Sequence, residues 1–321
     1  MTITQEQADW FAETFAKLVA NVEQTVLGKQ HVVELMFTAM ISEGHVLLED
    51  FPGTGKTSLA RAISETVDGV SNRIQFTPDM LPGDITGISV YDQKKGEWEF
   101  HSGPIFSNVV LADEINRASA KTQSALLEVM EEGQVTIDGV TRKVGVPFLV
   151  IATQNPIEQA GTYRLPEAQL DRFMLKSSLG YPDRAATIAI LEGTAEVKKE
   201  LNPVVTPQVI VGMADLARGV YVNPLLADYI ARIVEATRSA TQVKMGVSVR
   251  GARSLIKAAK TWAIAHGRTY VTPDDVKELA EVVLSHRLVL DPEAEFDGVT
   301  AQAVIGQVIL DIVPPARNEL G

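Results

Sequence analysis

Asp50-Phe51-Pro52-Gly53-Thr54-Gly55-Lys56-Thr57 is the stretch on which the fold of this chain turns. The apolar run Val46-Leu47-Leu48 precedes it, and a helical pattern opening at Ser58-Leu59-Ala60 follows. Strand, glycine-rich turn and helix in that order make a phosphate-binding loop. Gly53 and Gly55 let the backbone curl so that several N–H groups face one concavity. The start of the helix adds the positive end of its dipole. Lys56 has the reach to meet the β and γ phosphates of a nucleotide, and the Thr57 hydroxyl is a magnesium ligand. Pro52, Gly53, Thr54, Gly55, Lys56, Thr57 and Ser58 are therefore the candidate nucleotide-binding residues. The usual motif opens with Gly six positions before the Lys, where this chain has Asp50. A carboxylate there is expected to point away from the phosphates, which it would otherwise repel. The bland alternative is a glycine-rich turn that leads a helix and holds no ligand.

Composition narrows the remaining choices. A length of 321 residues suits two domains, or one large domain with a lid, and 45% hydrophobic residues is ample for a packed core. The absence of cysteine excludes disulfides and thiolate metal sites. The five histidines, at 31, 45, 101, 266 and 286, show no close ligand spacing and read as surface or packing residues. No apolar run is long enough to span a membrane, and Met1 to Trp10 lack the basic-then-apolar order of a secretory signal, so a cytoplasmic location is expected. The net charge of −12 disfavours non-specific nucleic-acid binding, which needs a basic face.

Outward from the loop, the first part of the chain alternates strands and helices. Candidate strands are 46–49, 73–76, 109–112, 148–153 and 173–176. Several are nearly all apolar, as parallel strands buried on both faces must be. Leu59, Ile63 and Val67 repeat every four residues after the loop. Ser119 caps a helix whose stripe includes Leu126, Leu127 and Met130, with Gly133 as its stop. These elements predict an α/β sandwich. Two hairpins interrupt it: 135–141 around Asp138-Gly139, and 88–100 around Lys95-Gly96. After Gly180-Tyr181-Pro182 only helices are expected. Their starts are marked by Thr206-Pro207, Asn223-Pro224, Ser248 and Thr272-Pro273. Leu225, Leu226, Tyr229, Ile230, Ile233 and Val234 make one apolar face, and Leu255, Ile256, Ala259 and Trp262 another.

A second group of residues narrows the chemistry. The apolar strand Asn108-Val109-Val110-Leu111-Ala112 ends in Asp113-Glu114. Asp113 at the strand end can hold magnesium, directly or through water, and Glu114 can polarise a water for attack on the γ-phosphate. Alone, such an acidic pair is as often a solvated turn; behind a phosphate loop it becomes a catalytic candidate. The strand 148–153 ends in Gln154-Asn155-Pro156. Asn155 can orient the attacking water, or can be an ordinary turn residue. Arg172 lies just before a strand, beyond obvious reach of the loop of its own chain. Supplied to a neighbour it can stabilise transition-state charge, an effect of about 10³–10⁵ in rate elsewhere; otherwise it is a salt-bridged arginine capping a helix. Arg250 opens a late helix and either contacts phosphate or is a solvated helix-start residue.

Leu-Ala-Asp-Glu-Ile-Asn-Arg-Ala (111–118), Lys-Thr-Gln-Ser-Ala-Leu-Leu-Glu (121–128), Ala-Thr-Gln-Asn-Pro (152–156) and Leu-Pro-Glu-Ala-Gln-Leu-Asp-Arg-Phe (165–173) together resemble the MoxR family of AAA+ ATPases. The resemblance runs from Leu27-Gly28-Lys29 to the last helices. It implies an AAA+ P-loop NTPase fold: an αβα sandwich with a parallel sheet over residues 1–180, followed by an all-α lid domain over 181–321. It makes Lys56 and Thr57 Walker A, Asp113 and Glu114 Walker B, Asn155 sensor 1, Arg172 the arginine finger and Arg250 sensor 2. ATP and Mg²⁺ are the implied cofactors. Segments 82–103 and 134–144 fit the helix-2 insert and the pre-sensor-1 hairpin of its clade. Two positions depart from the pattern: Asp50, and Val249, where the family often has Pro before the sensor 2 Arg.

The resemblance further implies a homo-oligomer, a hexameric ring, that remodels, matures or inserts metal into partner proteins, often ones with a von Willebrand factor A domain. Other functions stay in play at this point. Asp50 favours a nucleotide-gated scaffold with little turnover. A magnesium-chelatase-like motor subunit and a nucleic-acid motor share the clade, the latter opposed by the net charge.

Overall fold

The computed structural model describes residues 3–50, 53–155, 163, 165–181, 184–192 and 200–316. Among them the helices are α1 (Gln5–Glu23), α2 (Gln30–Ile41), α3 (Lys56–Thr66), α4 (Pro82–Thr86), α5 (Ala120–Glu132), α6 (Glu167–Leu170), α7 (Arg184–Leu191), α8 (Pro207–Arg218), α9 (Pro224–Ser239), α10 (Val249–Ala265), α11 (Pro273–Leu284), α12 (Pro292–Phe296) and α13 (Ala301–Asp311). The strands are β1 (Val46–Glu49), β2 (Ser71–Gln75), β3 (Gly87–Asp92), β4 (Glu97–Ser102), β5 (Val109–Asp113), β6 (Gln134–Ile137), β7 (Val140–Lys143), β8 (Leu149–Gln154), β9 (Leu175–Ser177), β10 (Val243–Met245) and β11 (Val289–Leu290).

The central sheet has five strands in the order β2-β5-β8-β1-β9, and its β1–β8, β5–β8 and β2–β5 pairs are parallel. All five residues of β5 are buried, as are the first five of β8, which is why these segments are nearly pure Val, Leu, Ile and Ala. β2 reads differently, Ser-Asn-Arg-Ile-Gln, because it is an edge strand that buries only Ile74 fully. It runs over 71–75, beginning two residues before the expected 73–76. β9 likewise begins at Leu175 rather than at Phe173.

β8 lies between β1 and β5, although long stretches of sequence separate the three. In register, Leu47 and Leu111 face Ala152 and Ile151, and Glu49 faces Gln154. The carboxyl ends of three parallel strands thus meet along one edge, where open α/β sheets place their ligands. The helices follow their sequence signals. In α3, Leu59 and Ile63 are fully buried, as is Val67 at its end. α5 starts where Ser119 Oγ accepts from Thr122 N at 3.4 Å and stops at Gly133, whose φ is 63°. Such a cap contributes about 1 kcal/mol.

The two hairpins are β3–β4 and β6–β7, both antiparallel, and among the described residues each pairs only within itself. Trp98 and Tyr91 meet edge to face on the first, with centroids 5.5 Å apart, and both are largely exposed.

By contacts the chain divides into two compact units: 17–172 with 177–211, and 1–16 with 173–176 and 212–321. The second is mainly helical, with two additions that the helical pattern did not suggest. β10 pairs antiparallel with β11, and Tyr221 bridges Tyr270. Of the face on α9, Leu226, Tyr229, Ile230, Ile233 and Val234 are buried, but Leu225 is exposed. The caps at Asn223, Ser248 and Thr272 are all formed, the last as a reciprocal box with Asp275.

His45 packs in the core of the first unit. Its Nδ1 accepts from Val150 N at 3.1 Å and its Nε2 donates to Met130 O at 2.9 Å, so the ring sits as a neutral imidazole. Burial pushes its pKa down to about 4, against a weaker upward pull from the Met130 hydrogen bond. In the second unit, burial and then the Arg287 charge hold His286 well below its usual range. Both folded values lie below that of the unfolded chain, which therefore takes up protons first as pH falls. Stability is full above about pH 6.5 and declines toward pH 4, by ~3 kcal/mol for His45 alone. Urea midpoints at pH 7.5 and pH 5 should show the loss; an equal or higher midpoint at pH 5 would contradict it.

Candidate functional site

The edge formed by β1, β5 and β8 carries a pocket of about 400 Å³, lined by Asp50, Gly53, Thr54, Gly55, Lys56, Thr57, Arg73, Asp113, Glu114, Thr153, Gln154 and Asn155. The loop, the two acids and Asn155 therefore converge. Gly53 and Gly55 have φ of 83° and 91°, left-handed values that a side chain would strain. Gly55 is the residue before α3, and no side chain caps that helix. Its opening turn presents N–H groups and the positive dipole end to whatever occupies the pocket. Lys56 opens the helix, with Nζ at 3.5 Å from Asp50 O. Ser58 lies in the same turn but is exposed and does not line the pocket. Pro52 lies outside the described residues.

Asp113 ends β5 and is mostly buried. Its Oδ1 accepts from Thr153 Oγ1 at 2.6 Å, and its Oδ2 from Arg73 Nη2 at 2.6 Å. Glu114 follows with φ of 58°, a left-handed conformation uncommon outside glycine and often found at functional positions. That turn is held from β8, because Thr153 Oγ1 also accepts from Glu114 N at 2.9 Å. One hydroxyl thus fixes both acids, side chain of one and backbone of the other. The Glu114 carboxylate pairs with Arg117 at 2.7 Å. Beneath, buried Gln123 Nε2 donates to Ile115 O and Ala118 O, both at 3.2 Å, and pins the turn that follows.

Arg172 is not in the pocket. It follows α6, where its Nη2 lies 3.3 Å from Glu131 Oε2 on α5. Arg250 lies in the first turn of α10, in the second compact unit. That helix starts at Val249, with Gly251 N donating to Ser248 Oγ at 3.2 Å, so Val249 in place of Pro leaves a well-capped start.

Sequence reading missed Arg73 and Thr153. Arg73 stands in a polar edge strand with no motif around it, and its tie to Asp113 exists only because β2 pairs with β5. Thr153 stood in view inside Ala-Thr-Gln-Asn-Pro, but strand order alone sets it beside the acids.

An oxygen donor set of Thr57 and Asp113 at the mouth of an N–H-lined loop suits a hard cation on a phosphate. Comparison with known proteins gives the family. The profile of the ATPase family associated with various cellular activities (AAA) matches residues 45–175, and that of the AAA lid domain matches 235–308. Chaperone MoxR1 of Mycobacterium tuberculosis is 40% identical over 95% of this chain and 83% of its own. The chain belongs to the MoxR family of AAA+ ATPases. Protein MoxR of Paracoccus denitrificans is 31% identical to this MoxR-family chain over 90% of it and 92% of the relative. The uncharacterized YeaC of Bacillus subtilis is 45% identical over 94% and 95%. A candidate ATPase from Cytophaga hutchinsonii, known as a crystal structure, superposes with a TM-score of 0.90 at 37% identity, covering 97% of this chain and 98% of that one. The AAA+ architecture of this MoxR-family protein therefore extends over nearly its whole length. No helix among its described residues is long and apolar enough to cross a membrane.

Proposed function

We propose that this MoxR-family protein is a magnesium-dependent ATPase whose hydrolysis drives chaperone-like remodelling, maturation or metal insertion of partner proteins. The observation that carries the proposal is the convergence of Lys56, from the head of α3, and Asp113, Glu114 and Asn155, from the ends of β5 and β8, on one pocket. Lys56 and the opening turn of α3 bind the β and γ phosphates. Magnesium, held by Thr57 and Asp113, would supply charge neutralisation on those phosphates. Arg73, half-exposed beside Asp113, is the partner that would have to yield that carboxylate for Asp113 to hold a cation. Glu114 leaves Arg117 to accept a proton from water, and Asn155 orients that water. Arg172 acts on the pocket of a neighbouring copy in a ring, hexameric by the family pattern; Arg250 is sensor 2 by the same pattern, with the core at 1–180 and the lid at 181–321. Loss of the γ-phosphate removes contacts from the switch. Clients with a von Willebrand factor A domain fit the family pattern, and the name of the mycobacterial relative supports a chaperone role.

A second reading is a nucleotide-gated scaffold with little turnover. It is favoured by the resting pairing of Glu114 with Arg117, which removes the base from its task. Phosphate release, measured with and without magnesium, separates the two. The ATPase reading expects magnesium-dependent release. Tight ATP binding without release would leave the scaffold.

A further inference from the structure

Asp50 is where this phosphate loop departs from the usual glycine, and its bonding reaches beyond the loop. The residue is 3% exposed. Its carboxylate accepts three hydrogen bonds from one short stretch after β9: Oδ1 from Ser178 Oγ at 2.9 Å and Gly180 N at 2.8 Å, and Oδ2 from Leu179 N at 2.7 Å. Gly180 has φ of 62°, so the chain turns left-handed directly after these two amides. The carboxylate is thus engaged by a specific set of donors at 178–180.

The backbone of the same residue touches the nucleotide machinery. Asp50 N donates to Gln154 O at 3.2 Å, beside Asn155, and Asp50 O accepts from Lys56 Nζ at 3.5 Å. Residues 178–180 also lie against the loop itself: a Cβ built on Gly55 would stand 4.0 Å from Leu179 Cδ2. One residue therefore joins the phosphate-seeking lysine, the end of β8 and the chain that leaves β9. A glycine at this place would leave the amides of 179 and 180 without this acceptor. An asparagine would turn an NH₂ toward one of the N–H donors.

We propose that Asp50 is a positioning residue that couples the phosphate loop to residues 178–180. When a nucleotide phosphate draws Lys56 away, the Asp50 peptide loses a contact and its hold on 178–180 changes. The coupling rests on the reading of the pocket as an ATP site. Its output is the path of the chain at Tyr181, whose carbonyl accepts from Lys29 Nζ at 2.7 Å.

The test is hydrogen exchange on the full chain with and without AMP-PNP and magnesium, alongside fluorescent-ATP affinity. In the parent, nucleotide should change exchange at 178–180. Asp50→Asn should raise exchange there in the absence of nucleotide, erase the nucleotide response, and weaken affinity roughly tenfold, as loss of charge-assisted bonds implies. Ser178→Ala deletes one of the three bonds and should give a smaller change of the same kind, which keeps the test alive if Asp50→Asn does not fold. A purely structural role would lower the melting temperature without touching the nucleotide response. If the parent binds AMP-PNP but 178–180 does not respond, the coupling is wrong while the ATP reading stands. Parental affinity and response in both variants would also overturn it. If the parent binds no nucleotide, both fall.

Discussion

Lys56→Ala is expected to weaken ATP binding by roughly 10- to 100-fold, the value of a charged hydrogen bond to phosphate, and to bring phosphate release to background. Lys56 stands at the head of α3 beside two left-handed glycines, so its ammonium is the full positive charge that the loop brings to the pocket. Its contact with Asp50 O, at 3.5 Å, is long for a hydrogen bond, so moving from it to a phosphate costs little. Lys56 is not one of the buried core residues, and the fold should survive its substitution. Thermal shift provides the control. The parent should gain ~2.7 kcal/mol of stability at ATP concentrations a hundredfold above its dissociation constant. The variant should melt near the parent without nucleotide and gain little with it. Unchanged affinity in a folded Lys56→Ala protein would remove the loop from the site.

Glu114→Gln should separate binding from chemistry. Gln keeps the shape of the side chain but is no base, so turnover should fall by about 10²–10⁴ while ATP affinity stays near the parent. Two features of the structure favour a clean separation. The left-handed turn at Glu114 is held through its backbone N–H on Thr153, which the substitution does not touch. Asp113 keeps its own bond from Thr153. Single-turnover phosphate release with saturating ATP and magnesium reads the effect. A variant that releases phosphate at the parental rate would assign the base to another residue, and a variant that no longer binds ATP would give Glu114 a binding role instead. The trapped state is also the form in which a client should stay attached.

Local signals in the sequence were the ones it made legible. The strand-loop-helix unit, the Ser119 cap, the Gly133 stop, both hairpins and the late helix starts each depend on residues a few positions apart, where backbone preferences act directly. Asp113 and Glu114 could be proposed because an apolar strand must end somewhere and two acids marked the place. What could not be read depends on strand order. Nothing in the chain announces that β8 inserts between β1 and β5, and that insertion alone sets Thr153 beside both acids. Arg73 meets Asp113 for the same reason, across the β2–β5 pairing. Asp50 was legible as an oddity and as a charge that should avoid phosphate, but its acceptor role needed residues 178–180, brought up by the far end of the α/β unit.

The arginines at 73 and 117 give the pocket a second property. With Arg73 on Asp113 and Arg117 on Glu114, neither acid faces its neighbour as a bare negative charge between catalytic cycles. Two adjacent carboxylates at a strand end would otherwise repel each other. Idle molecules are thereby protected from their own machinery: stripped of nucleotide and dialysed against a chelator, the protein should keep its shape and wait.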